Sequence, residues 1–505
     1  MSSNLRAAVF AAALAASAAH ASGFYFGDNG TKALMQGGAF TGQADDMTAI
    51  MYNPAGLAEM SGFNFLVDVG LLNHEVSFTR LDNGFDPANF KSPANTVSNT
   101  AGLFLLPFAG VSYGVDLGSR RLTIGLGIYG PPSVGRYAYQ PPLYVRGFDA
   151  SGRPCSNCPY LQTPKKFAPN RYQLINNDVI VLYPTLALAF QVHKRFQVGV
   201  SLQYVYSSFS FRQAIYADAG LTRPMRQVGE EPTYDSEVSV SLHGDPGFTA
   251  IIGAMFRPFD NLSIGASFRP QIPIRAKGKL SLQLGETATA INSKVTGDKA
   301  MLELTLPVEL RVGVHFKPIS RLGLNLDWVY LGWQSINELL LTPDGVELMV
   351  GSAAPTKVAA FHIPKRWTYS NSIRFGASFD IISLLTAHAG AYYETGASPR
   401  EQTGIDFAHF DRVFVTGGLT VHLSKIDVLA GFAYTPTGTR SVTDSAVAAG
   451  RDDPTSPPII VGAGVYTSGG WIATFGVRGH FGGAPAPAPE PAPVPAADPA
   501  PAPAT

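Results

Sequence analysis

Few side chains in this sequence have the spacing that chemistry demands. Ser112 stands in Gly110-Val111-Ser112-Tyr113-Gly114, the pattern of a nucleophile elbow, in which a strand-to-helix turn presents a serine hydroxyl for attack on an ester. Here the five residues lie inside an alternating strand pattern, so a serine nucleophile is rejected. Gly125-Leu126-Gly127-Ile128-Tyr129-Gly130 has the glycine spacing of a dinucleotide loop, but that loop must open a helix and Pro131-Pro132 follows. A glycine-rich strand is the better reading. Cys155-Ser156-Asn157-Cys158 has redox or half-metal-site spacing without a second cysteine pair or a histidine cluster, and in an exported chain it predicts a small disulfide-closed loop, Cys155 to Cys158. The 10 histidines include no HExxH and no other metal-ligand spacing. No enzyme activity, metal or cofactor is expected. The balance of 37 basic and 37 acidic residues gives no electrostatic footprint for nucleic acid.

A different signal comes from Asn53-Pro54-Ala55-Gly56-Leu57. Asn53 can cap a helix and Pro54 can be its first residue, where a missing N–H costs nothing. Around it, Ala33-Leu34-Met35 and Met47, Ile50 and Met51 form short apolar stretches interrupted by Gly37-Gly38 and Gly42. Residues 22–62 therefore read as short helical turns packed inside something larger.

The larger body is predicted to be a membrane barrel. Residues 1–21 read as a signal peptide: Arg6 gives the positive start, Ala7 to Ala16 the apolar core, and Ala19-His20-Ala21 the cleavage pattern. Beyond it no apolar run approaches the ~20 residues that a spanning helix requires, so a membrane crossing has to be made by strands. Composition agrees, with 52 Gly, 20 Tyr, 31 Phe and only 15% charged residues. Leu302, Leu304, Leu306, Val308, Leu310, Val312, Val314 and Phe316 alternate with mainly polar residues, and this period of two predicts one long strand with a single apolar face. A hairpin partner follows in Leu322, Leu324, Leu326, Trp328 and Tyr330.

Short turns, such as Gly118 to Arg121 and Pro318 to Arg321, alternate with seven long polar loops near 81–100, 133–176, 214–236, 285–299, 342–366, 398–410 and 443–458. This asymmetry predicts an all-β, antiparallel transmembrane barrel of about 14 strands over residues 63–481, with short periplasmic turns and long outer loops. The last strand is Trp471 to Phe481. Residues 482–505 alternate Ala and Pro and should form an extended periplasmic tail.

Two interruptions matter for function. Gly130-Pro131-Pro132 falls late in the third strand and Gly244-Asp245-Pro246-Gly247 within the sixth, and proline or glycine there either makes a bulge near the rim or opens the wall. Glu303, Glu309, Arg311, Arg269 and Arg275 cluster on neighbouring strands. A solvated lumen would account for them without a ligand, whereas an anionic amphiphile would use one or two of the cations.

Taken together the segments resemble the outer-membrane long-chain fatty-acid and hydrocarbon transporter family of FadL/TodX type, over nearly all of Ser22 to Phe481. The residues that carry the resemblance are Ser22-Gly23-Phe24, Gly38 to Asp46, Asn53 to Leu57, Leu306-Pro307, Arg311-Val312-Gly313, Asp327 to Tyr330, Trp333, Trp367, Arg374-Phe375-Gly376, Ser398-Pro399 and Asp411-Arg412.

The resemblance implies a barrel plugged by an N-terminal hatch, in which Asn53, Pro54, Ala55 and Gly56 serve gating, and a kinked third strand that opens the wall at Gly130, Pro131 and Pro132. It further implies passive uptake of long-chain fatty acids or similar hydrophobic compounds, which leave sideways into outer-membrane lipid. Lys32 and Arg171 are the candidates for holding a ligand carboxylate. The chain departs from the family in the tail after Phe481, where related barrels usually end. The alternative function is an outer-membrane structural anchor or porin whose Pro/Ala tail contacts the cell wall or a periplasmic partner.

Overall fold

The computed structural model describes residues 25–81, 96–131, 133, 135–139, 168–216, 235–290, 292–408, 410–449 and 459–482. The expected signal peptide, Pro132, the Cys155–Cys158 loop and the tail beyond Gly482 lie outside the described residues.

Fourteen long strands form the barrel: β1 (Gly62–Arg80), β2 (Phe104–Leu117), β3 (Arg120–Tyr129), β4 (Asn176–His193), β5 (Phe196–Tyr216), β6 (Gly247–Phe259), β7 (Leu262–Arg269), β8 (Val308–Ile319), β9 (Leu322–Gly332), β10 (Ser370–Ile382), β11 (Leu385–Glu394), β12 (Arg412–Leu423), β13 (Ile426–Val442) and β14 (Gly464–Phe481). Each pairs antiparallel with the next, and β14 returns to β1 from Phe63↔Phe481 to Arg80↔Gly464, which closes the ring and leaves no open edge. Closure is what allows a sheet to stand in lipid, since no strand is then left with an edge that lacks a neighbour.

The alternation of the sequence sets which side chains go where. Val67, Val111, Leu126, Leu202, Phe256, Phe375 and Phe475 point outward and are exposed, whereas their neighbours Asp68, Ser112, Gln203, Met255, Arg374 and Thr474 point inward and are buried. The outer face is thus an apolar band and the inner face is polar, as a bilayer requires. Among the described residues no helix is long and apolar enough to cross a membrane.

The strand expected over Leu302 to Phe316 differs from its prediction. Pro307 divides it into Lys299–Leu306 and β8, and the burial phase reverses at the break: Leu302, Leu304 and Leu306 are buried, whereas Val312 and Phe316 are exposed to the outside. Ile272–Gln283, which continues β7 past Pro270, and Asp235–Gly244, which precedes β6, reverse at the same level. Proline cannot donate to the ladder, so the strand twists there and its apolar side turns from the lipid to the protein interior. The three continuations pair with one another, Ala276↔Gly244 and Ile272↔Leu306 among the contacts, and form an upper sheet over the barrel.

Candidate functional site in the barrel interior

Residues 25–61 lie within the ring of strands as two short helices, Thr31–Met35 and Ala49–Tyr52, and a 3-10 helix, Pro54–Glu59. The helical start expected at Asn53 is present in 3-10 form, with Pro54 as its first residue. The Asn53 Oδ1 accepts from the Ala55 N–H at 3.2 Å, and its Nδ2 donates to Thr41 O at 3.0 Å and to Ala254 O on β6 at 3.1 Å. One side chain therefore caps the turn, ties two stretches of the segment together and fixes both to the wall. The fit depends on small wall residues: a Cβ at Gly253 would lie 2.1 Å from Asn53 Oδ1, and one at Gly265 2.1 Å from Thr41 O.

Buried wall groups hold the rest of the segment. Asp68 Oδ2 on β1 accepts from Thr31 N at 2.7 Å, and Asp327 Oδ2 on β9 accepts from Phe40 N at 3.0 Å and Thr41 N at 2.8 Å. Arg374 on β10 pairs with Asp28, and Ser267 Oγ on β7 donates to Tyr52 O at 2.6 Å. Hydrogen bonds to charged groups are the stronger kind, about 1.5–3 kcal/mol each.

The ladder between the third and fourth strands is interrupted beyond Tyr129. Pairing between β3 and β4 ends at Tyr129↔Tyr183 and resumes at Arg136↔Asp178, so six residues on one side face four on the other. Within the interruption, Gly130 O accepts from Asn29 Nδ2 at 3.2 Å and Ser133 bridges to Tyr25. Gly130 and Pro131 are buried against the N-terminal segment, which covers the interruption from inside.

The two sequence candidates for a ligand carboxylate are each paired with a carboxylate of the protein. Lys32 Nζ lies 2.7 Å from Asp45 Oδ1, and the fully buried Arg171 lies 2.8 Å from Asp235 Oδ2 at the base of an outer loop. The charged cluster on neighbouring strands separates into two. Arg275 and Glu303 form an exposed pair at 2.8 Å on the upper sheet.

Arg269 on β7 and Arg311 on β8 are buried and share one carboxylate, Glu309, with Arg269 Nη2 at 2.6 Å from Glu309 Oε2. Arg269 also donates to the Tyr25 hydroxyl at 2.8 Å, and Arg311 stacks 4.8 Å from the centre of the Tyr52 ring. Arg269 Nε and Arg311 Nη1 are buried without a hydrogen-bond partner among the described residues. Two guanidiniums on one carboxylate leave a net positive charge, which is costly inside a protein unless an anion completes it. Above them lie Ile272, Ile274, Leu302, Leu304 and Leu306, packed in one apolar cluster with Tyr129, Tyr183 and Val205. The arrangement is a cationic floor beneath an apolar vault.

Neither catalytic pattern survives the geometry. Ser112 is inside β2, with no strand-to-helix turn, and Gly125 to Tyr129 lie in β3.

Residues 164–469 match the profile of the family described as outer membrane protein transport protein (OMPP1/FadL/TodX). The chain belongs to this family. As a FadL/TodX-family member it is an outer-membrane barrel protein. It is 23% identical over 276 residues to Outer membrane protein P1 of Haemophilus influenzae, a match covering 51% of this chain and 56% of that protein. With a putative outer membrane protein of Neisseria meningitidis it is 28% identical over 119 residues, covering 24% of this chain and 25% of the relative. The chain thus spans about half the length, or less, of the curated relatives it matches. A FadL homologue from Pseudomonas aeruginosa has the same fold at 15% identity and a TM-score of 0.69, over 91% of this chain and 100% of that one. The toluene transporter TbuX of Ralstonia pickettii does so at 14% identity and a TM-score of 0.59, over 91% and 99% of the two chains.

Proposed function

We propose that this FadL/TodX-family protein carries long-chain fatty acids or similar hydrophobic compounds passively across the outer membrane. The observation that supports this best is the Arg269–Glu309–Arg311 group beneath the apolar vault, with two buried guanidinium nitrogens that have no hydrogen-bond partner among the described residues. A fatty acid has the matching form: its carboxylate neutralises the excess charge, and each buried CH₂ of its chain contributes about 0.8 kcal/mol.

In this reading residues 25–61 are a hatch. Tyr25 and Asn29 cover the interruption at the third strand from inside, so withdrawal of the segment uncovers it. Ligand then leaves sideways at Gly130 and Pro131 into lipid and never crosses water.

The test is uptake of radiolabelled palmitate by cells producing the intact protein, a form lacking residues 25–61, and the Arg269→Gln and Arg311→Gln variants. Uptake by the intact protein no greater than in empty cells rejects the fatty-acid reading. Intact uptake with a loss in both arginine variants supports the head-group site.

A further inference from the structure

We infer that the barrel wall contains a second lateral passage, between β6 and β7, through which a single hydrocarbon chain moves between the interior and the bilayer. The inference rests on the transport reading for its cargo and on the wall geometry for its existence.

Pairing between β6 and β7 runs upward from Leu262↔Phe259 and stops at Ile252↔Phe268. It resumes only at Ala276↔Gly244 in the upper sheet, with Asp245 N donating to Arg275 O at 2.7 Å as the first bond past the gap. Residues 246–251 and 269–274 form no ladder with each other, a stretch of roughly 20 Å at ~3.3 Å per residue. The two sides are not frayed. β6 remains paired to β5 up to Val205↔Gly247, and the β7 side remains paired through Arg269↔Glu309 and Ile272↔Leu306. The ladder is therefore interrupted along one seam, each side of which stays paired to its other neighbour. Pro246, Pro270 and Pro273, none of which has an N–H to give, all lie on it.

In lipid, unpaired backbone is tolerated where it lines a cavity. It is tolerated as well where protein covers it, as on the inner side of this seam. On the inside are Ile272 and Ile274 of the apolar vault, with Arg269 at the lower lip. On the outside, Phe248 and Thr249 of β6 form the near edge of a depression of about 560 Å³ that extends away from the seam over β5, β4 and β3, where Tyr204, Leu202, Leu186, Pro184 and Leu126 line it. Phe248 is 78% exposed and meets the Tyr204 ring edge-on, at 5.6 Å between centroids, at the rim of the depression.

Two buried acceptors on β5 and β6, Gln203 Oε1 and Thr249 Oγ1, have no partner among the described residues. They suit the hydroxyl of a protonated acid or an alcohol at the end of such a chain. The third-strand interruption is bonded to the N-terminal segment, whereas the seam has no backbone bonds to break.

The test uses full-length protein in phospholipid vesicles, with Cys155 and Cys158 replaced by Ser and one reporter cysteine on an inward face. Ile251→Cys lies at the seam. Met255→Cys lies below it on the same strand, paired on both sides, and Ala433→Cys lies on the far wall between two paired neighbours. The probe is an alkyl maleimide confined to the bilayer, and the heat-dependent gel shift of a barrel verifies folding.

Labelling of Ile251→Cys at least tenfold faster than of the other two is expected, with a further increase in Phe248→Ala. Equal rates at all three positions in folded protein overturn the passage. Palmitate binding to the unmodified protein is measured alongside. Its absence together with fast labelling of Ile251→Cys would remove the fatty-acid reading and leave the passage standing.

Discussion

Replacing Asn53 with alanine removes three hydrogen bonds at the point where the N-terminal segment meets the wall. The helical cap accounts for about 1 kcal/mol. Thr41 O and Ala254 O are left behind as acceptors, and an unsatisfied buried partner costs about 1–3 kcal/mol. The contacts share one side chain, so they do not simply add, and a loss of about 2–4 kcal/mol in the seating of residues 25–61 is expected. At 1.4 kcal/mol per tenfold, that is a thirty- to several-hundredfold larger unseated population, to order of magnitude.

Asn53→Asp discriminates between packing and donation. It keeps the shape and the acceptor that caps Ala55, but it turns a carboxylate oxygen toward two carbonyls, so it should unseat the segment more than alanine does. The assay is amide exchange of residues 40–58 in folded detergent-solubilised protein, where protection reports local opening. If Asn53→Ala changes protection in this stretch by less than threefold, or if Asn53→Asp protects as well as wild type, the anchoring argument is wrong.

Three further outcomes follow from other parts of the interior. Arg269→Gln should weaken palmitate binding about tenfold or more and leave binding of an uncharged alkane unchanged, because one charged hydrogen bond is worth about 1.5–3 kcal/mol; equal losses for both ligands in a titration would mean that only packing had been disturbed. Pro131→Val restores a ladder donor to the third strand and should slow palmitate transfer into vesicles without altering the heat-dependent gel shift, so unchanged transfer would remove the exit role from that interruption. Burial acts to raise the Asp45 carboxyl, and the Lys32 charge overrides it and holds the group below the ordinary carboxylate range. That pair therefore stabilises the seated segment above about pH 4 and loses its effect as the pH falls further. Burial raises Asp46, which has the opposite sign. Pepsin cleavage within 25–61 should accelerate on acidification most clearly in Asp46→Asn, and Lys32→Met should abolish the acceleration.

Much of the barrel was legible because its causes are local. Alternation along each strand and the contrast of short turns with long loops give an antiparallel ring, and both are written in adjacent residues. The Asn53 cap was legible for the same reason, since its acceptor serves Ala55, two residues on. The carboxylate-binding candidates depended on distant partners. Lys32 and Arg171 are attractive as isolated cations, but Asp45 and Asp235 lie 13 and 64 residues away and take up their charge. Arg269 and Arg311 stood out as inward charges, yet their single shared counter-ion is a product of strand register. Leu302 to Phe316 was a correct pattern with an incomplete meaning. Period two says that the leucines and valines share a face, but only the twist at Pro307 decides what that face looks upon.

That twist has a consequence for how oil can travel. Below Pro270 and Pro307 the greasy side of these strands is the outer one, and above them it is the inner one. A surface that changes sides must cross the sheet somewhere, and it does so along the level where β6 and β7 part. A molecule that stays in contact with apolar side chains throughout could follow that surface from the vault to the bilayer as along a one-sided ribbon. The same prolines that interrupt the ladder would then also lay the track.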